Sequence, residues 1–175
     1  MIGKIRFALL GLTLAALPIL AQGQFQVRPS TYSNPAGTAY NNPTYAYDNS
    51  PSSYSYINFV QTVKSIRLAV EQWSGFPSAP PGATSMSLNI SSSASISGNG
   101  FADVEIKYSL DGGTTFTTLY DLTSGSTSRV DSIPLSNNQD LTKIVVEGWV
   151  QASVLSANTS EDTYHQINDI WVSGQ

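Results

Sequence analysis

Six tyrosines crowd into one short stretch, at Tyr32, Tyr40, Tyr45, Tyr47, Tyr54 and Tyr56, among residues that are mostly Asn, Ser, Pro and small side chains. Rings beside amides are the chemistry of sugar recognition. The C–H face of a sugar ring stacks on an aromatic ring, while amide and carboxylate groups take the hydroxyls. Tyr45, Tyr47, Tyr54 and Tyr56, with Asn42 close to them in sequence, are therefore the candidate ligand-binding residues. The competing reading is that alternate rings pack onto a sheet and only their hydroxyls reach water.

Catalytic chemistry has thinner support. The chain holds one histidine, His165, set between Tyr164 and Gln166 in the last strand-like run. That position predicts a residue on a strand surface. No Gly-x-Ser-x-Gly segment presents a serine nucleophile. With no cysteine and a single histidine, the usual zinc sites cannot be assembled. A glycoside hydrolase needs only two carboxyl groups roughly 5–10 Å apart. Glu71, Glu105 and Glu147 each fall in a strand-like run, and Glu147 shares a face with Trp149 and Gln151, as an acid lining a sugar cleft would. Glu105 shares its face with Asp103 and Lys107 and reads as solvated surface.

The elements that must position these groups are strands. Alternation of apolar and polar residues, the signature of a half-buried strand, runs through Ala102, Val104, Ile106, Tyr108 and Leu110 and through Ile144, Val146, Gly148, Val150, Ala152 and Val154. Met86, Leu88 and Ile90 alternate likewise, and Ile66, Leu68 and Val70 are expected to form a fourth such buried face. The last run, Tyr164 to Val172, changes phase near Asp169, which predicts a bulge. Asp111-Gly112-Gly113 reads as a hairpin turn, because Asp and Gly tolerate the positive φ of tight turns. Three prolines between Ser74 and Gly82 predict a rigid extended loop, with Trp73 and Phe76 as its apolar plug. Thr44 to Tyr47 is expected to be a short strand inside the Tyr/Asn/Ser/Pro-rich segment 30–56. Seven or eight strands with almost no helix give an all-β, antiparallel two-sheet β-sandwich, a jelly roll in preference to an immunoglobulin-like arrangement.

Residues 1–21 have the build of a cleavable signal peptide: Lys4 and Arg6, then an apolar run from Phe7 to Leu20, then Ala21 at the cut. The run is shorter than the roughly 20 residues that span a bilayer, so no membrane insertion is expected after cleavage. The expected mature chain, residues 22–175, is a single domain of 154 residues carrying six Lys and Arg against twelve Asp and Glu. Such an acidic chain has no electrostatic footprint for nucleic acid. The lack of cysteine leaves the core to hold an exported fold by itself and favours a bacterial source. The location expected is extracellular or periplasmic.

Three segments carry a family likeness. Ala46-Tyr47-Asp48-Asn49-Ser50-Pro51-Ser52-Ser53-Tyr54, the run Tyr108-Ser109-Leu110-Asp111-Gly112-Gly113 before Phe116, and the ending Ile167-Asn168-Asp169-Ile170-Trp171-Val172-Ser173-Gly174 together resemble the segments of discoidin-like, galactose-binding-like jelly rolls, in the same order. The resemblance implies end loops that hold carbohydrate or another cell-surface ligand, often beside a structural calcium ion. It implies an ion-holding loop at Asp48, Asn49 and Ser53, with Asp169 within approach. Asn49 and Ser53 depart from the Gly and Thr of the family pattern, and its flanking disulfide is missing. The expectation is a secreted non-catalytic binding module. Its alternatives are a structural or adhesive subunit of an extracellular assembly and, third, a jelly-roll glycoside hydrolase.

Overall fold

The computed structural model describes residues 23–50, 52–61, 65–154 and 160–175; the signal-like segment 1–21 lies outside them. Ten strands form there: β1 (Phe25–Val27), β2 (Thr31–Gly37), β3 (Ser55–Gln61), β4 (Ser65–Ser74), β5 (Ser87–Gly98), β6 (Phe101–Ser109), β7 (Thr117–Leu122), β8 (Gly125–Pro134), β9 (Val145–Val154) and β10 (Glu161–Gly174). Two 3-10 turns, Pro43–Tyr47 and Leu141–Lys143, complete the regular structure. No helix among the described residues is long and apolar enough to cross a membrane.

Four antiparallel ladders are nested one inside the next. β6 pairs with β7, β5 with β8, β4 with β9 and β3 with β10. The chain is in effect one long hairpin folded about the turn after β6 and then rolled, so that successive ladders alternate between two layers. One layer has the order β3-β10-β5-β8 and the other β4-β9-β6-β7, with β1 added beside β10 and β2 beside β4. Eight strands connected in this way make a jelly-roll sandwich. β1 and β3 share one edge of β10, pairing with residues 172–174 and 161–167 respectively.

Alternation delivers the core as expected along most strands. Val146, Val150, Ala152 and Val154 of β9 and Ala102, Val104 and Ile106 of β6 face Leu88, Ile90, Ala94 and Ile96 of β5 across the interior, all buried. The expected bulge is present: the β10–β5 register shifts between Ile167 and Asp169, so that Ile167 and Ile170 both point inward. The Asp111-Gly112-Gly113 turn closes the β6–β7 hairpin, with Gly112 at φ 82° and Gly113 at φ 86°.

Three local expectations are corrected. On β4 the inward face is Ala69, Glu71 and Trp73, while Ile66 is 68% exposed. Apolar residues occupy both parities of that strand, and the indole, with the largest area to bury, decides the face. Thr44 to Tyr47 is a 3-10 turn rather than a strand; Pro43 at its start sets a helical φ and offers no N–H to a ladder. His165 is fully buried rather than on a surface. Trp73 and Phe76 are buried plugs, as read.

The interior also holds a polar cluster. Tyr40 Oη lies 2.6 Å from His165 Nδ1 and Tyr120 Oη lies 3.2 Å from Nε2. Burial pushes the imidazole pKa down to about 3, so the ring is neutral, with one nitrogen donating and the other accepting. Gly148 makes room for this cluster, since a Cβ there would stand 2.9 Å from Tyr40 Oη and 3.3 Å from the Trp73 ring. Glu71 is buried beside it, and that burial raises its pKa. Its Oε2 accepts from the Tyr40 amide at 3.3 Å.

Candidate functional site

The 3-10 turn and the start of β3 are tied together by a two-way backbone bridge: Asn41 N donates to Tyr56 O at 2.7 Å and Tyr56 N to Asn41 O at 3.1 Å. The chain between them must therefore form a closed loop whose two ends are adjacent. Asp48 draws it in further. Its Oδ1 accepts from the Ser50 amide at 2.9 Å and its Oδ2 from Ser53 Oγ at 2.6 Å, an Asx turn with a second clasp. Asn42 begins the 3-10 turn in the left-handed region, φ 51°, and its side chain makes no capping bond.

These constraints open a cleft of about 250 Å³ lined by Asn42, Tyr45, Ser52, Ser53, Tyr54 and Tyr56. Tyr45 and Tyr54 are 42% and 39% exposed. The Tyr54 and Tyr56 rings meet edge to face at 5.7 Å, and Tyr56 leans on Tyr164 of β10 at 6.1 Å. Burial and the neighbouring Tyr54 and Tyr56 raise the Tyr164 pKa to about 12. Its hydroxyl therefore stays protonated and donates to Gln166 Oε1 at 2.6 Å. The result is a fixed row of rings beside amide and hydroxyl groups, which suits a neutral, hydroxyl-rich ligand.

Four of the five residues singled out from sequence, Asn42, Tyr45, Tyr54 and Tyr56, line this cleft. Tyr47 does not. It is half-buried, and its pKa is raised by burial and by Tyr32. Tyr164 is the residue that sequence reasoning missed. Expecting His165 on the surface gave the adjacent Tyr164 no outward role, and its nearness to Tyr56 depends on the β3–β10 pairing.

The four oxygen-bearing residues expected to hold an ion fall into two places, Asp48 with Ser53 and Asn49 with Asp169. Asp169 is gripped at both carboxylate oxygens by Arg28, at 3.0 and 2.8 Å. Asp48 and Ser53 bond each other, and Asn49 lines a separate depression of about 300 Å³ with Ser50, Ser91, Val130, Asn168, Asp169 and Trp171. Among the described residues no group of three or more His, Asp or Glu side chains is placed to hold a metal.

Two larger depressions, of about 450 and 480 Å³, lie between residues 24–26 and 173–175 and between the loops around 78–84 and 137–141. Phe25 is the one aromatic residue lining either, so neither offers a row of rings. On the outer face of the other sheet, Lys107 sits 3.0 Å from Glu105, 3.9 Å from Glu147 and 5.2 Å above the Trp149 ring. Gln72 Nε2 donates to Glu147 at 2.7 Å. That set satisfies itself.

No family model matches the chain, and no curated protein does. Among solved structures it is similar to TmCBM61, a carbohydrate-binding module in complex with β-1,4-galactotriose, at 12% identity and TM-score 0.34 over 81% of this chain and 86% of that one. It is similar to the family 32 module of C. perfringens NanJ in complex with galactose, at 12% identity and TM-score 0.33 over 85% and 99%. A family 4 module gives 15% identity and TM-score 0.32 over 77% and 99%. At these values the likeness does not reach individual residues, and the jelly-roll assignment rests on the nested ladders of this chain.

Proposed function

We propose that this protein is an exported, non-catalytic carbohydrate-binding module whose ligand sits in the tyrosine cleft. One observation carries the reading: Tyr45 and Tyr54 present exposed rings in a cleft that also holds Asn42, Ser52 and Ser53. A protein core gains nothing by leaving two such rings half in water, whereas a sugar gains a stacking platform there. The loop is already closed by Asp48 and by the Asn41–Tyr56 bridge, so little ordering cost remains at binding. The buried, neutral His165 and the mutually paired Glu105, Lys107 and Glu147 are assigned no chemistry.

The test is calorimetric titration with a panel of oligosaccharides. It begins with galactose and β-1,4-galactotriose, the ligands named for two of the similar structures, and extends to gluco- and manno-oligosaccharides. Saturable binding that Tyr54→Ala abolishes, with the fold intact, supports the proposal; no retention of any sugar counts against it. Export is tested by N-terminal sequencing of the secreted protein, expected to begin at Gln22.

A further inference from the structure

β8 is the terminal strand of its sheet, hydrogen-bonded to β5 along Gly125–Ile96 to Pro134–Ser87 and to no strand on its other side among the described residues. A ten-residue edge with unpaired backbone groups is a template for another strand. Its one proline, Pro134, stands at the very end, and Val130 is 63% exposed on the sheet's outer face.

The side chains of this edge are self-complementary in one register. On any edge strand alternate residues direct N–H and C=O outward, so two antiparallel copies can pair only with a residue, never a peptide link, at the centre. Centred on Arg129, the ladder would oppose two arginines; centred on Asp131, two aspartates. Centred on Val130, it sets Arg129 opposite the partner's Asp131 and Asp131 opposite the partner's Arg129. The same register stacks Val130 on the partner's Val130 and Ser128 on the partner's Ser132. Opposite charges directly across a ladder stabilise it and like charges oppose it. Within one copy, Arg129 directs Nε and Nη2 at Asp131 Oδ1, with Nε at 3.0 Å. Asp131 Oδ2 is buried without a hydrogen-bond partner among the described residues, and Arg129 also lies 5.2 Å over the Tyr120 ring, so the cross-copy pair forms by Arg129 turning from these contacts toward the partner's Asp131.

We propose that a second copy of this chain docks along β8, antiparallel and centred on Val130, joining the two sheets into one. The two-fold axis runs perpendicular to the sheet, so the outer faces of both copies point the same way. Seven strand spacings then separate β3 from the partner's β3, roughly 34 Å at about 4.8 Å each.

Sedimentation velocity from about 1 to about 500 µM, without sugar, tests the proposal on the secreted protein and three variants. The wild type is expected to pass from monomer to dimer with concentration. Asp131→Arg and Arg129→Asp, each checked for an unchanged far-UV spectrum, are expected to weaken association by about tenfold or more. The double reversal R129D/D131R is expected to restore it. A monomer at every concentration, single variants that dimerise as well as wild type, or a double reversal that fails to rescue would each overturn the proposal.

Discussion

Tyr40 and His165 lie 125 residues apart and share a 2.6 Å hydrogen bond between Oη and Nδ1 at the centre of the sandwich. The bond links the segment that leads into the tyrosine cleft to the strand that backs it. Tyr40 also meets Trp73 edge to face at 5.6 Å. Removing its hydroxyl leaves a buried imidazole nitrogen unpaired, which costs about 1–3 kcal/mol. Tyr40→Phe is therefore expected to lower the unfolding free energy, read from urea titration, by that amount while the far-UV spectrum stays β-rich.

His165 is the sole histidine of the chain, so its ring resonances need no assignment. Its pKa falls from 6.5 to about 3 on folding because burial disfavours the cation. The neutral ring's contribution to stability is complete above pH 6.5. It is lost as pH falls toward 3, because the unfolded chain takes up a proton that the folded one refuses. Imidazole shifts are expected to stay constant from pH 8 to pH 4. A titration midpoint near 6.5 in the folded protein would contradict the buried cluster.

Asp103 titrates the other way. Burial and the adjacent Asp121 raise its pKa from 3.8 to about 6. A raised carboxyl contributes its stability at low pH, below 3.8, and loses it as pH rises through 6. Asp103→Asn is expected to stabilise the protein at pH 8 by about 1 kcal/mol after allowance for solvent screening. At pH 4 it should change little. Urea unfolding at the two pH values checks this.

Much of this fold is legible in the sequence where one residue class marks one face. Val146 to Val154 and Ala102 to Ile106 alternate cleanly, and the bulge by Asp169 shows as a slip in that alternation. Glu161, Thr163 and His165 point inward while Asp162, Tyr164 and Gln166 point outward. With polar side chains on both parities, local pattern could not place His165. Its partners, Tyr40 and Tyr120, reach it only through the rolled topology. The cleft was readable for a similar reason in reverse, since Asn42, Tyr45, Tyr54 and Tyr56 lie in one short loop closed by one bridge. The Arg28–Asp169 pair was not, because its partners lie 141 residues apart.

Gly148 is required by contact rather than by backbone angle. A methyl group there would press on Tyr40 Oη and the Trp73 ring. Overpacking of this kind costs about 1–3 kcal/mol. Gly148→Ala is expected to lower the thermal midpoint and to shift the Trp73 near-UV signal.

Calcium should leave the protein's melting temperature where it is. Asp169 is held by Arg28 and Asp48 by its own loop, so a cation would have to displace contacts already made, and no upward shift by mass action is expected. Scans in millimolar calcium and in chelator are expected to coincide, and a rise with calcium would restore the ion to the cleft loop.

Sugar binding at the exposed rings is tested most directly by titrating one saturating oligosaccharide into wild type and into Tyr45→Ala/Tyr54→Ala. Both substitutions lie on the surface and leave the core intact. Loss of two stacking faces is expected to weaken affinity by a hundredfold or about 2–3 kcal/mol. Equal affinity in the two proteins would place the ligand elsewhere and contradict the assignment of the cleft.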